Sequence, residues 1–142
     1  MTTVSQIMTR DVQVVRPDDT VQHAAQCMKE LDIGAVPVCD GRKLMGMITD
    51  RDIAVRTSAA GLSPTTTAVR DAMTKELRWC TEDQDVDELL HGMGENQVRR
   101  MPVINASKEL VGIVSLGDLA TRQAGHVDNV LRDISGPGHA TG

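Results

Sequence analysis

The sequence predicts an α/β (α+β) fold made twice: two β-α-β-β-α repeats packed as a pseudo-twofold pair. Three observations predict it. The chain lines up on itself at an offset of about 65 residues. Apolar residues recur at helical spacing at the same place in each half. Two apolar runs joined by turn residues follow each of those segments. The chain has 142 residues. A unit of roughly 60 residues has a marginal core alone, so two such units gain by packing together.

The repeat keeps its order through both halves. Val4 falls on Val69, Met8-Thr9 on Met73-Thr74, Asp18 on Asp83, and Val21 on Val86. Met28 falls on Met93 and Pro37-Val38 on Pro102-Val103. One extra residue enters a hairpin, after which Leu44 falls on Leu110, Gly46 on Gly112, Asp52 on Asp118 and Arg56 on Arg122.

Each half opens on a short extended piece, Val12 to Val15 and Leu77 to Cys80. A helix follows. Val21, Ala24, Ala25, Met28 and Leu31 share one helical face, as do Val86, Leu89, Leu90 and Met93. Asp18 or Thr20 suits the N-cap of the first, and Asp83 or Asp85 that of the second. In the first hairpin, Ala35 to Cys39 and Leu44 to Thr49 are joined at Asp40-Gly41. In the second, Met101 to Ile104 and Leu110 to Ser115 are joined around Asn105. A second helix begins at Thr49 and at Ser115. These elements divide the chain into repeat 1 (1–60), a connector (61–68), repeat 2 (69–124) and a Gly-rich, flexible tail (125–142).

Composition narrows the functions. Hydrophobic residues make up 40% and charged residues 25%, a globular balance. There is one Trp and no Tyr or Phe, so a ligand has aliphatic walls and backbone to meet but almost no ring to stack on. That argues against a single-strand nucleic-acid platform. The formal net charge of -5 argues against bulk DNA or RNA binding. No apolar run approaches the ~20 residues of a membrane span. The N-terminal MTTVSQIMTRDV has no apolar core, which predicts no secretory signal. Cys27, Cys39 and Cys80 are odd in number and lack CxxC spacing, which fits reduced cytoplasmic thiols and no metal site.

One motif occurs twice: Gly46-Met-Ile-Thr49-Asp50-Arg51-Asp52 and Gly112-Ile-Val-Ser115-Leu116-Gly117-Asp118. Ser or Thr with an acid three residues on resembles a capping box, with Asp in place of Glu or Gln. The same place, a helix start at a sheet edge, also suits a phosphate, and an Asp one turn in can accept from a ribose diol. The readings are compatible, since Thr49 can cap while Asp52 faces a cleft. Asp50 and Asp52 do not face each other on a helix and make no catalytic pair. No nucleophile-base arrangement and no P-loop is present, so the chain reads as a non-enzyme. Met28, Met45, Met47, Met93 and Met101 read as core. His23 and His91 read as surface or dimer-facing, and Trp79 as buried or at an interface.

The tandem pattern, the Pro-Val strand and the Gly-apolar-apolar-Ser/Thr-x-x-Asp ending resemble a pair of CBS domains, a Bateman module, from about Val4 to Arg122. The chain is similar to small stand-alone proteins made of one such pair. The resemblance implies a regulatory module that binds adenosine nucleotides in clefts between the repeats and signals by conformational change. AMP, ADP or ATP is the first ligand class, with NAD and S-adenosylmethionine as others. Ser115 and Asp118 would hold phosphate and ribose in one cleft, Thr49 and Asp52 in the other. Gln13 and Ile33 would serve the adenine in the Asp118 cleft, and Arg78 and Val98 in the Asp52 cleft. Arg99 and Arg100, just before the second Pro-Val strand, would meet phosphates. Gly34 and Ala35 stand there in the first repeat, with Arg51 as a substitute, so the Asp118 cleft should bind better. The resemblance implies a homodimer and an effector protein, and no catalytic cofactor. Two alternatives stay open: a structural or stress-response interaction protein with empty clefts, and a thiol or metal sensor using the three Cys.

Overall fold

The structure is a computed structural model describing residues 2–96 and 100–115, without the side chains of 92–96. Val98, Arg99 and Asp118 lie outside the described residues, as do the second helix of repeat 2 and the tail. The chain divides into two compact units. One draws on Met1–Val12, Arg78–Ser107 and Val111–Gly142, the other on Gln13–Leu77 and Lys108–Leu110. The leading segment of each repeat therefore folds with the bulk of the other repeat.

In the unit built on Gln13–Leu77, helix α1 (Val21–Leu31) starts at Thr20, whose hydroxyl accepts from the His23 N–H. Of the two cap candidates, Thr20 holds the place and Asp18 does not. The helix stops at Asp32, in the left-handed region at φ 53°. Its Val21, Ala24, Cys27 and Met28 are buried, as the periodicity requires. Strands β1 (Ala35–Asp40) and β2 (Lys43–Thr49) form an antiparallel hairpin that turns at Gly41, φ 63°. The extended piece expected at Val12–Val15 is reduced to one parallel bridge, Val15 to Val38. Helix α2 (Asp50–Ile53) runs into a π-turn, Ala54–Ser58. Helix α3 (Val69–Ala72) closes the core, joining Val36, Val38 and Ile48 through Val69 and Ala72.

In the other unit, a 3-10 turn (Val4–Gln6) precedes β3 (Cys80–Thr81), α4 (Val86–Asn96), β4 (Arg100–Ile104) and β5 (Leu110–Ser115). The sheet order is β3-β4-β5, with β3 parallel to β4. The extended piece expected at Leu77–Cys80 is a strand only at Cys80–Thr81. Val4, Ile7 and Met8 pack with Leu89, Leu90 and Val103 in its core.

The one-turn helices of Val4–Gln6 and Val69–Ala72 were not expected. Their apolar residues sit three and four apart (Val4, Ile7, Met8; Val69, Ala72, Met73), but a single turn is too short to register as periodicity. Both lead into the same backbone pairing. Thr9 and Ile113 exchange two bonds of 2.8 and 2.9 Å, and Thr74 and Met47 exchange two of 2.8 and 3.0 Å. Gly46 and Gly112 make the approach possible. A Cβ on Gly46 would stand 2.6 Å from the Thr74 carbonyl oxygen, and one on Gly112 would stand 2.8 Å from that of Thr9.

One packing expectation needs correction. Met28, Met47 and Met101 are buried, but Met45 is 44% exposed on the outer face of β2. Trp79, read as buried or at an interface, is 50% exposed, which leaves the interface reading.

Candidate functional site

The described side chains that combine most closely at a predicted motif are those at the β2-α2 junction. Strand β2 ends at Thr49 in an extended conformation, and the chain turns into α2. The Thr49 hydroxyl accepts from the Asp52 N–H at 3.0 Å, and Asp52 Oδ2 accepts from the Thr49 N–H at 3.0 Å. This is the reciprocal capping box expected from the spacing, with Asp at the third helical position.

Asp52 does more than cap. Its side chain is buried, with the residue 8% exposed. The Thr74 hydroxyl donates to the carboxylate at 3.2 Å from each oxygen. Arg56, one turn on, places Nε 3.9 Å from Oδ1. The same guanidinium donates to the Met73 carbonyl at 2.8 Å and reaches that of Ala72 at 3.5 Å, at the end of α3. A buried carboxylate is costly unless paired and hydrogen-bonded, and these groups meet that need. Asp50 is exposed and accepts from the Arg51 N–H at 2.7 Å, so the two aspartates act separately.

Thr74 and Arg56 are the residues at this junction that sequence reasoning did not select. The signal was present: Thr74 repeats Thr9, and Arg56 repeats Arg122.

The other predicted residues are distributed between the units. Gln13 and Arg51 are exposed, and Ile33 is half-buried against the core, all in the unit of Asp52. Arg78 (exposed), Arg100 (half-buried, on β4) and Ser115 (half-buried, ending β5) belong to the other.

The three cysteines are free and buried. Burial pushes the Cys39 thiol up to about 11 and the Cys80 thiol up to about 12. Burial, with Glu30 and Asp19 nearby, also raises Cys27. Protonated thiols are poor nucleophiles, which weighs against a thiol sensor. Among the described residues, no group of three or more His, Cys, Asp or Glu is arranged to hold a metal, and no helix is long and apolar enough to cross a membrane.

Two mixed α+β units, each with a hairpin and a preceding helix and each assembled across a tandem repeat, define a paired-repeat module. The CBS domain family model matches residues 4–57 and 69–125. The chain belongs to the CBS-domain family. It is 42% identical over 123 residues to the CBS domain-containing protein YhcV of Bacillus subtilis, covering 87% of this chain and 86% of that one. It is similar to the crystal structure of Hypoxic Response Protein I with two coordinated zinc ions (42% identity, TM-score 0.76, 84% of this chain and 98% of that). It is also similar to CBSX2 in complex with AMP (26% identity, TM-score 0.76, 90% and 99%). A further similar structure is the CBS domain pair of protein MJ0100 with 5-methylthioadenosine and S-adenosyl-L-methionine (25% identity, TM-score 0.72, 88% and 98%).

Proposed function

We propose that this chain is a non-catalytic regulatory module that binds an adenosine nucleotide and passes the signal on through a change of conformation. The observation that carries the reading is the extent of the match to CBSX2, whose complex holds AMP: the likeness covers 90% of this chain and 99% of that one. The MJ0100 pair holds two adenosyl compounds, which points to the same chemical class. The composition fits, since a chain with one Trp and no Tyr or Phe holds a base by backbone and aliphatic contacts.

In this reading Asp52 and Asp118 accept from the ribose hydroxyls, and Thr49 and Ser115 meet phosphate. Gln13, Ile33, Arg78 and Val98 border the adenine, and Arg51, Arg99 and Arg100 neutralise phosphate charge. The domain boundaries are those of the repeat, 1–60 and 69–124, with 61–68 connecting and 125–142 as a tail. The working form is a cytoplasmic homodimer read by an effector protein. Ligand binding signals only if it favours one conformation over another.

Calorimetry with AMP, ATP, NAD and S-adenosylmethionine tests the reading. AMP is expected to bind, and more weakly to an Asp118→Ala chain. Failure of all four at millimolar concentration overturns the function. An Asp118→Ala chain that binds as tightly as the parent overturns the site assignment.

A further inference from the structure

We infer that Thr74, with Arg56, is a positioning residue that sets how the Asp52 carboxylate receives a ribose; the inference rests on the nucleotide-binding reading above. A carboxylate turns easily about its terminal torsion, and an untethered one must be ordered when a ligand binds. Asp52 is tethered. Thr49 N–H holds Oδ2 at 3.0 Å, and the Thr74 hydroxyl spans both oxygens at 3.2 Å. Arg56 stands 3.9 Å from Oδ1 while its own guanidinium is fixed on the Met73 carbonyl at 2.8 Å.

An ionised carboxylate has about four lone-pair sites. The Thr49 N–H takes one on Oδ2, and the Thr74 hydroxyl, spanning both oxygens, engages one on each. The acceptor capacity left is what a ribose hydroxyl would use, and the tether fixes the direction in which it is offered.

Thr74 is itself held. Its backbone exchanges two bonds with Met47, and Val69, five residues earlier, donates to the Asp19 carbonyl at 2.8 Å. The leading segment of the second repeat thus fixes the ribose-binding group of the first.

The test uses full-length chains carrying Asp118→Ala, so that the Asp52 site is read alone, and titrates AMP and 2′-deoxy-AMP by calorimetry. Thr74→Val keeps the volume and removes the hydroxyl. It is expected to weaken AMP about tenfold, the scale of one lost hydrogen bond to a charged group. 2′-Deoxy-AMP keeps only the 3′-hydroxyl for the carboxylate, so its binding is expected to weaken by less, and the preference for AMP narrows. Thr74→Ser restores both values. A general loosening of the fold would weaken both nucleotides together and leave the ratio intact, which overturns the inference. Arg56→Gln, changed at a side chain 49% exposed, is expected to reduce the ratio in the same direction and serves if Thr74→Val does not fold. An unchanged ratio in the variant that folds overturns the inference, as does failure of the Asp118→Ala chain to bind AMP when the parent does. If the parent binds no nucleotide, the functional reading fails first and the inference with it.

Discussion

Gly46→Ala is expected to destabilise the protein by about 2 kcal/mol. The new Cβ would meet the Thr74 carbonyl oxygen at 2.6 Å and the Met73 sulfur at 3.1 Å, whereas ordinary contact begins near 3.4 Å. Met73 can swing its side chain aside, but Thr74 cannot, because its backbone is bonded in both directions to Met47. Relief needs a shift of about 0.8 Å between strand and segment, which strains two backbone hydrogen bonds worth about 1 kcal/mol each. Overpacking against Met73 adds about 1 kcal/mol at the low end of its range. Replacing Gly by Ala restricts the unfolded chain and returns about 0.5–1 kcal/mol. The net is a fall in melting temperature of about 4–8 °C for a chain of this size. Scanning calorimetry or a urea titration reads it. Gly112→Ala should behave alike, since its Cβ would meet Thr9 oxygen at 2.8 Å and Met8 sulfur at 2.7 Å. A Gly46→Ala chain melting within about 1 °C of the parent, or above it, would refute the close approach as the reason for glycine here.

Two further outcomes follow from buried polar groups. Thr57 is 1% exposed, and its hydroxyl has no partner among the described residues; Thr57→Val keeps the shape and is expected to be neutral or stabilising by up to about 1 kcal/mol in urea unfolding. The thiols give a pH effect. Folding raises Cys39 to about 11 and Cys80 to about 12 from an ordinary 9.0. Above that ordinary value the unfolded chain loses these protons first and so binds fewer. Their contribution to stability is whole below pH 9.0 and is lost as pH rises through about 11 to 12. Urea midpoints should therefore fall between pH 8 and alkaline pH by less in a Cys39→Ala, Cys80→Ala chain than in the parent, and equal falls would count against the burial account.

Much of the candidate site was legible from spacing. Thr49 and Asp52 stand three residues apart at a strand end, and the structure joins them as a capping box. Helix α1 and both hairpins follow from period and turn residues, because each of these signals is local. Met45 departs from its core reading because apolar character alone does not say which face of a strand is covered.

The sequence by itself determined the repeat, the long helix and hairpin of each half, and the capping pair of Thr49 and Asp52. Only tertiary structure decided which leading segment serves which hairpin. Met8-Thr9 and Met73-Thr74 carry the same pattern, so no local preference separates them. Packing does: Thr74 reaches Met47 and Asp52, while Thr9 reaches Ile113. The missing Cβ at Gly46 and Gly112 leaves room for either backbone, and the fold of the whole chain selects the partner from the other repeat.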